Sequence, residues 1–180
     1  MKSILDACGL SYVWYQQNVQ NVQWLRNRIL TCLKDQFFQQ WRREVFQLPK
    51  GLNYRMFKSE LKFEKYLVLL PTKCATTFCK YRTGNAKLPI ESGRWLNVPR
   101  EERICRLHVC MTEIGDEFHY IFKCIDPILC YKRLFLIPKF YTVRPSAFKF
   151  EVLLKSSNKK TLLNLCKYIT LIIERVNSPG

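Results

Sequence analysis

A chain of 180 residues is long enough for one domain, or two small ones, around a buried core. A hydrophobic fraction of 48% and an aromatic fraction of 14%, with only 6 Gly and 8 Pro, exclude a disordered or low-complexity chain. Thirty Lys and Arg against 14 Asp and Glu leave a formal charge of +16, which favours a polyanionic partner. Nucleic acid leads; the alternatives are a basic face that lies against the rest of a larger protein and, third, an anionic membrane surface.

The N-terminal MKSILDACGLSYVW breaks its apolar run at Asp6 before a signal-like core forms, and the nine cysteines are an odd number, so reduced thiols in an intracellular protein, nuclear or cytoplasmic rather than secreted, are expected. Over residues 21–46, Trp24, Ile29, Leu30, Leu33, Phe37, Phe38, Trp41, Val45 and Phe46 recur at steps of three and four, the pattern of a long amphipathic helix ending near Leu48-Pro49-Lys50-Gly51. Its Trp/Phe stripe reads as a packing face. A second helix is expected over 54–70, stopped by Pro71, and a third over 73–81, stopped by Thr83-Gly84-Asn85. Residues 84–104 carry Gly84, Pro89, Gly93 and Pro99 and read as an ordered connector too broken for a helix.

After Cys124, Asp126-Pro127 opens a short helix that Pro138 ends, Ser146 caps a helix over 147–155, and a final helix over 160–176 aligns Leu162, Leu165, Cys166, Ile169 and Ile172 on one face. No strand alternation, internal repeat or heptad stands out, and no apolar run reaches the roughly eighteen residues that span a bilayer. The expected fold is mainly α, a helical domain with a small central Cys/His insertion resembling a zinc knuckle, in three regions: 1–83, 84–125 and 126–180.

The segment CRLHVCMTEIGDEFHYIFKC, residues 105–124, holds three cysteines and two histidines. Thiolates and imidazoles at such spacings fill a tetrahedral Zn²⁺ shell, and Cys105, Cys110, His119 and Cys124 form C-x4-C-x8-H-x4-C. Gly115 would let the chain turn between the two halves. On a regular helix His119 and Cys124 would point about 140° apart, so the helix has to end or tighten before Cys124. His108 is the alternative to Cys110, giving C-x2-H-x10-H-x4-C. Spacing alone is equally met by buried, metal-free cysteines acting as small hydrophobes. Asp116 and Glu117 read either as carboxylates that orient His119 or as an exposed acidic turn.

Arg82-Thr83-Gly84-Asn85, Leu88-Pro89-Ile90-Glu91, Gly93-Arg94-Trp95, Pro99-Arg100-Glu101, Cys105, Gly115-Asp116-Glu117-Phe118-His119 and Cys124 together resemble the segment after the reverse transcriptase domain of non-LTR retrotransposon polyproteins, where an R-T-G stretch leads into a CCHC zinc knuckle. The likeness extends over most of the chain, from Met1 to Ile169. Two places depart from the family pattern: its second cysteine falls where this chain has His108, and its Cys-Pro after the knuckle is here Cys124-Ile125. The resemblance implies a structural Zn²⁺, binding of template RNA or target DNA, and a possible reverse transcriptase core as partner.

Between residues 42 and 87 eleven basic residues face three acidic ones, and between 123 and 160 nine face two. Arg82, Lys87, Arg94, Arg100, Arg103, Lys132 and Arg133 are the expected nucleic-acid contacts, fixing affinity without reading sequence. Tyr81, Trp95 and Tyr120 sit nearest to basic residues, as base-stacking aromatics would; for Trp95 a packing role is preferred. An enzyme is not expected. No Asp-Asp pair exists for a polymerase palm, and after Cys124 only Asp126, Glu151 and Glu174 are carboxylates, too scattered for a two-metal nuclease. Cys-His nucleophilic catalysis is disfavoured because such pairs usually meet only in the fold. No small-molecule substrate and no membrane attachment are expected. The expected function is non-catalytic, largely sequence-independent RNA or DNA binding; the alternative is a helical protein-interaction module, docking on an absent polymerase domain, with buried cysteines and no metal.

Overall fold

The structure, a computed structural model, describes residues 1–47, 52–107, 110 and 113–178. Among them the chain is helical, with eleven α-helices and no strand longer than an isolated bridge. It divides into two compact units, Met1–Leu48 and Pro49–Gly180.

The first unit holds α1 (Lys2–Ala7), α2 (Ser11–Gln16) and α3 (Val22–Gln47). Gly9 joins α1 to α2 at φ 69°, a left-handed conformation that glycine adopts without a Cβ clash. Leu5, Cys8, Leu10 and Val13 form a small core, covered by Val19, Leu25, Ile29 and Cys32. Gln36 Nε2 donates to the carbonyl of Ala7 at 2.6 Å, tying α3 back to α1. The long helix is where periodicity puts it, and its expected end at residues 48–51 lies outside the described residues. Its packing differs from expectation. Leu30, Leu33, Phe37, Phe38 and Phe46 are exposed, because α1 and α2, six residues each, are about 9 Å long while α3 runs about 39 Å.

The second unit contains α4 (Leu52–Phe57), α5 (Tyr66–Leu69), α6 (Thr72–Arg82), α7 (Pro89–Trp95), α8 (Pro127–Leu136), α9 (Lys139–Thr142), α10 (Ala147–Leu154) and α11 (Lys159–Asn177). The central element is α11, packed on α6, α8 and α5; α10 packs on α4 and α9. Leu162, Leu165, Ile169 and Ile172 are fully buried as their shared face predicts, each side chain contributing about 1.5–3 kcal/mol by leaving water. Asp126, Ser146 and Asn158 cap α8, α10 and α11, accepting from the backbone N–H of Leu129, Lys149 and Thr161. One core joins Tyr66 and Phe78, Leu88, Cys105 and Tyr120, and Leu129 through Val176. Residues from all three regions, 1–83, 84–125 and 126–180, contribute to this core.

Two expected elements change. Residues 54–70 do not form one helix: α4 and α5 are separated by an irregular stretch over 58–65. There the Lys58 ammonium donates to the Lys62 carbonyl and to Glu64, whose other oxygen takes Arg82 at 2.7 Å. Burying that charge cluster replaces helix continuation. Residues 84–104, expected to lack a helix, contain α7, started by Pro89 at its first turn and preceded by extended Leu88.

Candidate metal centre

The centre is built on three backbone devices. Residues 103–105 pair antiparallel with 113–115: Cys105 N–H donates to Glu113 O and Gly115 N–H to Arg103 O, both at 2.8 Å, around the Ile104–Ile114 bridge. Cys110 N–H donates to Leu107 O at 2.8 Å, turning that thiol back toward Cys105. A π-helical turn, His119–Lys123, then closes with Cys124 N–H on His119 O at 2.8 Å. A helix closed by i→i+5 bonds is wider than an α-helix, so residues five apart come round to the same side. The helix had to alter before Cys124; it widens rather than tightens.

These devices bring Cys105, Cys110, His119 and Cys124 together in the core, their ligand atoms all within 4.8 Å of one another. Cys105 Sγ lies 4.0 Å from Cys124 Sγ, and Cys110 Sγ lies 3.5 Å from His119 Nε2. A tetrahedron with Zn–S of about 2.3 Å and Zn–N of about 2.05 Å has S···S edges of about 3.8 Å and S···N edges of about 3.6 Å. The group can therefore hold a metal ion with little movement. Cys110 belongs to it; His108 lies outside the described residues.

Electrostatics favour a thiolate at Cys105. The Cys105 pKa is lowered, chiefly because Cys124 donates a hydrogen bond to its sulfur, with His119 and Tyr120 adding to this. Cys124, donating to that neighbour and buried, is raised in turn. Burial, then the adjacent Cys105 sulfur, raises Tyr120. A cation would draw the remaining thiol protons off.

The surroundings hold the ligands in place. Asp116 Oδ1 accepts from His119 N–H at 2.8 Å, so this carboxylate does orient the histidine, through its backbone. Glu117 is buried and not an exposed acid; its carbonyl accepts from Tyr81 at 2.7 Å. His119 Nδ1 is buried with no hydrogen-bond partner in reach, and Glu113 Oε2 stands 3.9 Å away. Glu113 is the site residue that sequence reasoning missed; only the pairing of 103–105 with 113–115 puts it opposite Cys105, and no strand alternation in the sequence signals that pairing. Arg133 Nη2 donates to the Cys124 carbonyl at 2.7 Å, and its Nε to Tyr168 Oη at 3.2 Å.

The expected phosphate contacts separate into two groups. Arg82 and Arg133 are corrected: Arg82 is 4% exposed between the rings of Phe57, Tyr66 and Phe78, and Arg133 is buried under the centre. Arg103 is half-buried and spent on the carbonyls of Val98 and Ile90; Arg94 is half-buried and paired with Glu91. Lys87, Arg100 and Lys132 are exposed, Arg100 with Asp116 at 3.9 Å. Tyr81 and Tyr120 are core residues and cannot stack on a base. Trp95, expected to pack, is exposed. Among the described residues no helix is long and apolar enough to cross a membrane. No protein-family model, curated protein or solved structure matches the chain.

Proposed function

We propose that Cys105, Cys110, His119 and Cys124 bind one structural Zn²⁺, and that the protein is a non-catalytic RNA- or DNA-binding module like the post-polymerase segment it resembles. The observation that carries the metal is convergence: four donors from three backbone devices meet at one point, whereas Cys8 and Cys166 each neighbour a single further cysteine, Cys32 and Cys74. The soft donor set, three sulfurs and one imidazole in a closed buried shell, suits structural zinc. Native mass spectrometry of protein purified without chelator should show one zinc, lost in Cys105→Ser with His119→Ala. A metal-free wild type would refute the centre.

What supports nucleic-acid binding is the net charge of +16 together with Lys87, Arg100 and Lys132 at the surface. The reading predicts oligonucleotide affinity that falls steeply with added salt. A specific observation favours the second reading, a docking module for a polymerase core or another protein: Leu134, Phe135, Phe140 and Phe148 are exposed in the second unit. Absence of oligonucleotide binding at low salt would leave that reading alone.

A further inference from the structure

Beside the metal centre, α7 borders a cleft of about 540 Å³ that includes Trp95, Leu96, Lys87, Asn85, Ser92 and Asn177. Trp95 is 70% exposed, yet it is fixed in position. Its Nε1 donates to Glu91 Oε1 at 2.8 Å, Arg94 Nη2 reaches the same oxygen at 2.5 Å, and the Arg94 guanidinium lies 5.2 Å from the indole centroid. Glu91 also lines the cleft, but it is buried and its carboxylate is neutralised by Arg94 and hydrogen-bonded by the indole. An ordered, exposed indole loses little entropy when a second flat ring covers it.

Two exposed cations belong to the same region. Lys87 is exposed on the cleft wall, and exposed Arg106 crosses from the metal-centre segment to donate to Ser92 Oγ at 3.0 Å. Asn177 is anchored to the Lys87 carbonyl at 3.0 Å, which fixes an amide in the same wall. A flat apolar platform, a lysine in the cleft wall, an arginine bonded to Ser92 of that wall and amides beside them match a nucleobase with its adjoining phosphates.

We propose that this cleft stacks one base of a single-stranded nucleic acid on Trp95, with Lys87 and Arg106 meeting the neighbouring phosphates. This rests on the nucleic-acid-binding reading and names its contact site. The metal centre would hold the platform: Ile90 N–H donates to Gly115 O at 3.2 Å, and Arg103 donates to Ile90 O at 3.1 Å, so α7 is braced on the paired segment that carries Cys105.

The test is fluorescence anisotropy of the zinc-loaded full chain with labelled dT12, rU12 and a 12-base-pair DNA duplex across a salt series. Trp95→Ala should weaken single-strand binding about 5- to 150-fold with an unchanged salt slope, while Trp95→Phe keeps most of the affinity. Lys87→Ala should instead reduce the salt slope by about 1. Duplex binding should not respond to Trp95, and the dT12 and rU12 arms show which sugar the cleft accepts. If the wild type binds and Trp95→Ala binds equally well, the stacking site is wrong and the broader reading stands. A wild type that binds no oligonucleotide at low salt overturns both.

Discussion

Gly115→Ala tests whether the metal-centre segment and α7 are in close contact. A Cβ at Gly115 would stand 2.8 Å from Pro89 Cγ, 3.0 Å from Pro89 Cβ and 3.1 Å from the Tyr120 hydroxyl. Ordinary carbon contacts fall at about 3.5–4.0 Å, so roughly 0.7 Å must open. Neither neighbour can swing away: Pro89 is a rigid ring at the first turn of α7, and Tyr120 is fully buried. Gly115 is not among the residues with positive φ, so the cost is close approach and not a turn, contrary to the sequence reading. Overpacking of this kind costs about 1–3 kcal/mol. At about 2 kcal/mol, with a urea m-value of about 2 kcal/mol/M, the unfolding midpoint of zinc-loaded protein, followed by circular dichroism, should fall by about 1 M. Adding Pro89→Ala, which removes the Cγ at 2.8 Å, should restore part of the loss. A midpoint within about 0.2 M of wild type would refute the close packing on which the bracing of Trp95 depends.

Glu64→Gln leaves Lys58 and Arg82 buried without their carboxylate and should cost about 3 kcal/mol at neutral pH. Burial works to raise the Glu64 pKa, but hydrogen bonds from Lys58 and Arg82 outweigh it and the value lies below 4.5. Its contribution is thus present above pH 4.5 and lost as pH falls through the folded-state value, so the urea midpoints of wild type and variant should converge in acid; a gap that persists unchanged at pH 3 would contradict the ion cluster. Arg133→Lys removes the planar contact to the Cys124 carbonyl and should lower zinc affinity about 10- to 100-fold in competition with a chromophoric chelator, whereas unchanged affinity would mean the carbonyl needs no support. Gly9→Ala meets no atom within 4 Å but must adopt φ near 69°, so it should destabilise by about 1–2 kcal/mol through backbone strain alone, read as a lower thermal midpoint.

Elements whose signal is local were legible in the sequence. Asp126 and Ser146 cap helices where a short polar side chain precedes an apolar repeat, and α11 buries the residues its period aligns. What failed is what burial alone decides. Arg82 and Arg133 read as cations for a polyanion because charge is visible in sequence, but Arg82 is enclosed by three aromatic rings and Glu64, and Arg133 by carbonyls and Tyr168. Tyr81 is buried and Trp95 exposed, the reverse of the reading, for the same reason: proximity to basic residues says nothing about which ring the core takes. The break at 58–65 was hidden because Leu61 and Phe63 keep an apolar texture while Lys58 and Glu64 turn inward.

The candidate metal ligands show how a spacing objection becomes structural information. C-x8-H-x4-C is awkward for an α-helix because positions five apart diverge. The chain accommodates it with the π turn His119–Lys123, which costs regular hydrogen bonding but places His119 and Cys124 on one side. That turn needs support. It has the Asp116 carboxylate on the His119 amide before it, and after it Arg133 and Tyr168 on the carbonyls of Tyr120 and Cys124. Arg133 and Tyr168 come from α8 and α11, so the centre is held by the helical core, not by a free-standing loop. The paired segment then passes that rigidity to α7 through Gly115 and Arg103. A metal held here would therefore do more than close a loop: by fixing Cys105 against Cys124, it would fix the orientation in which α7 presents Trp95.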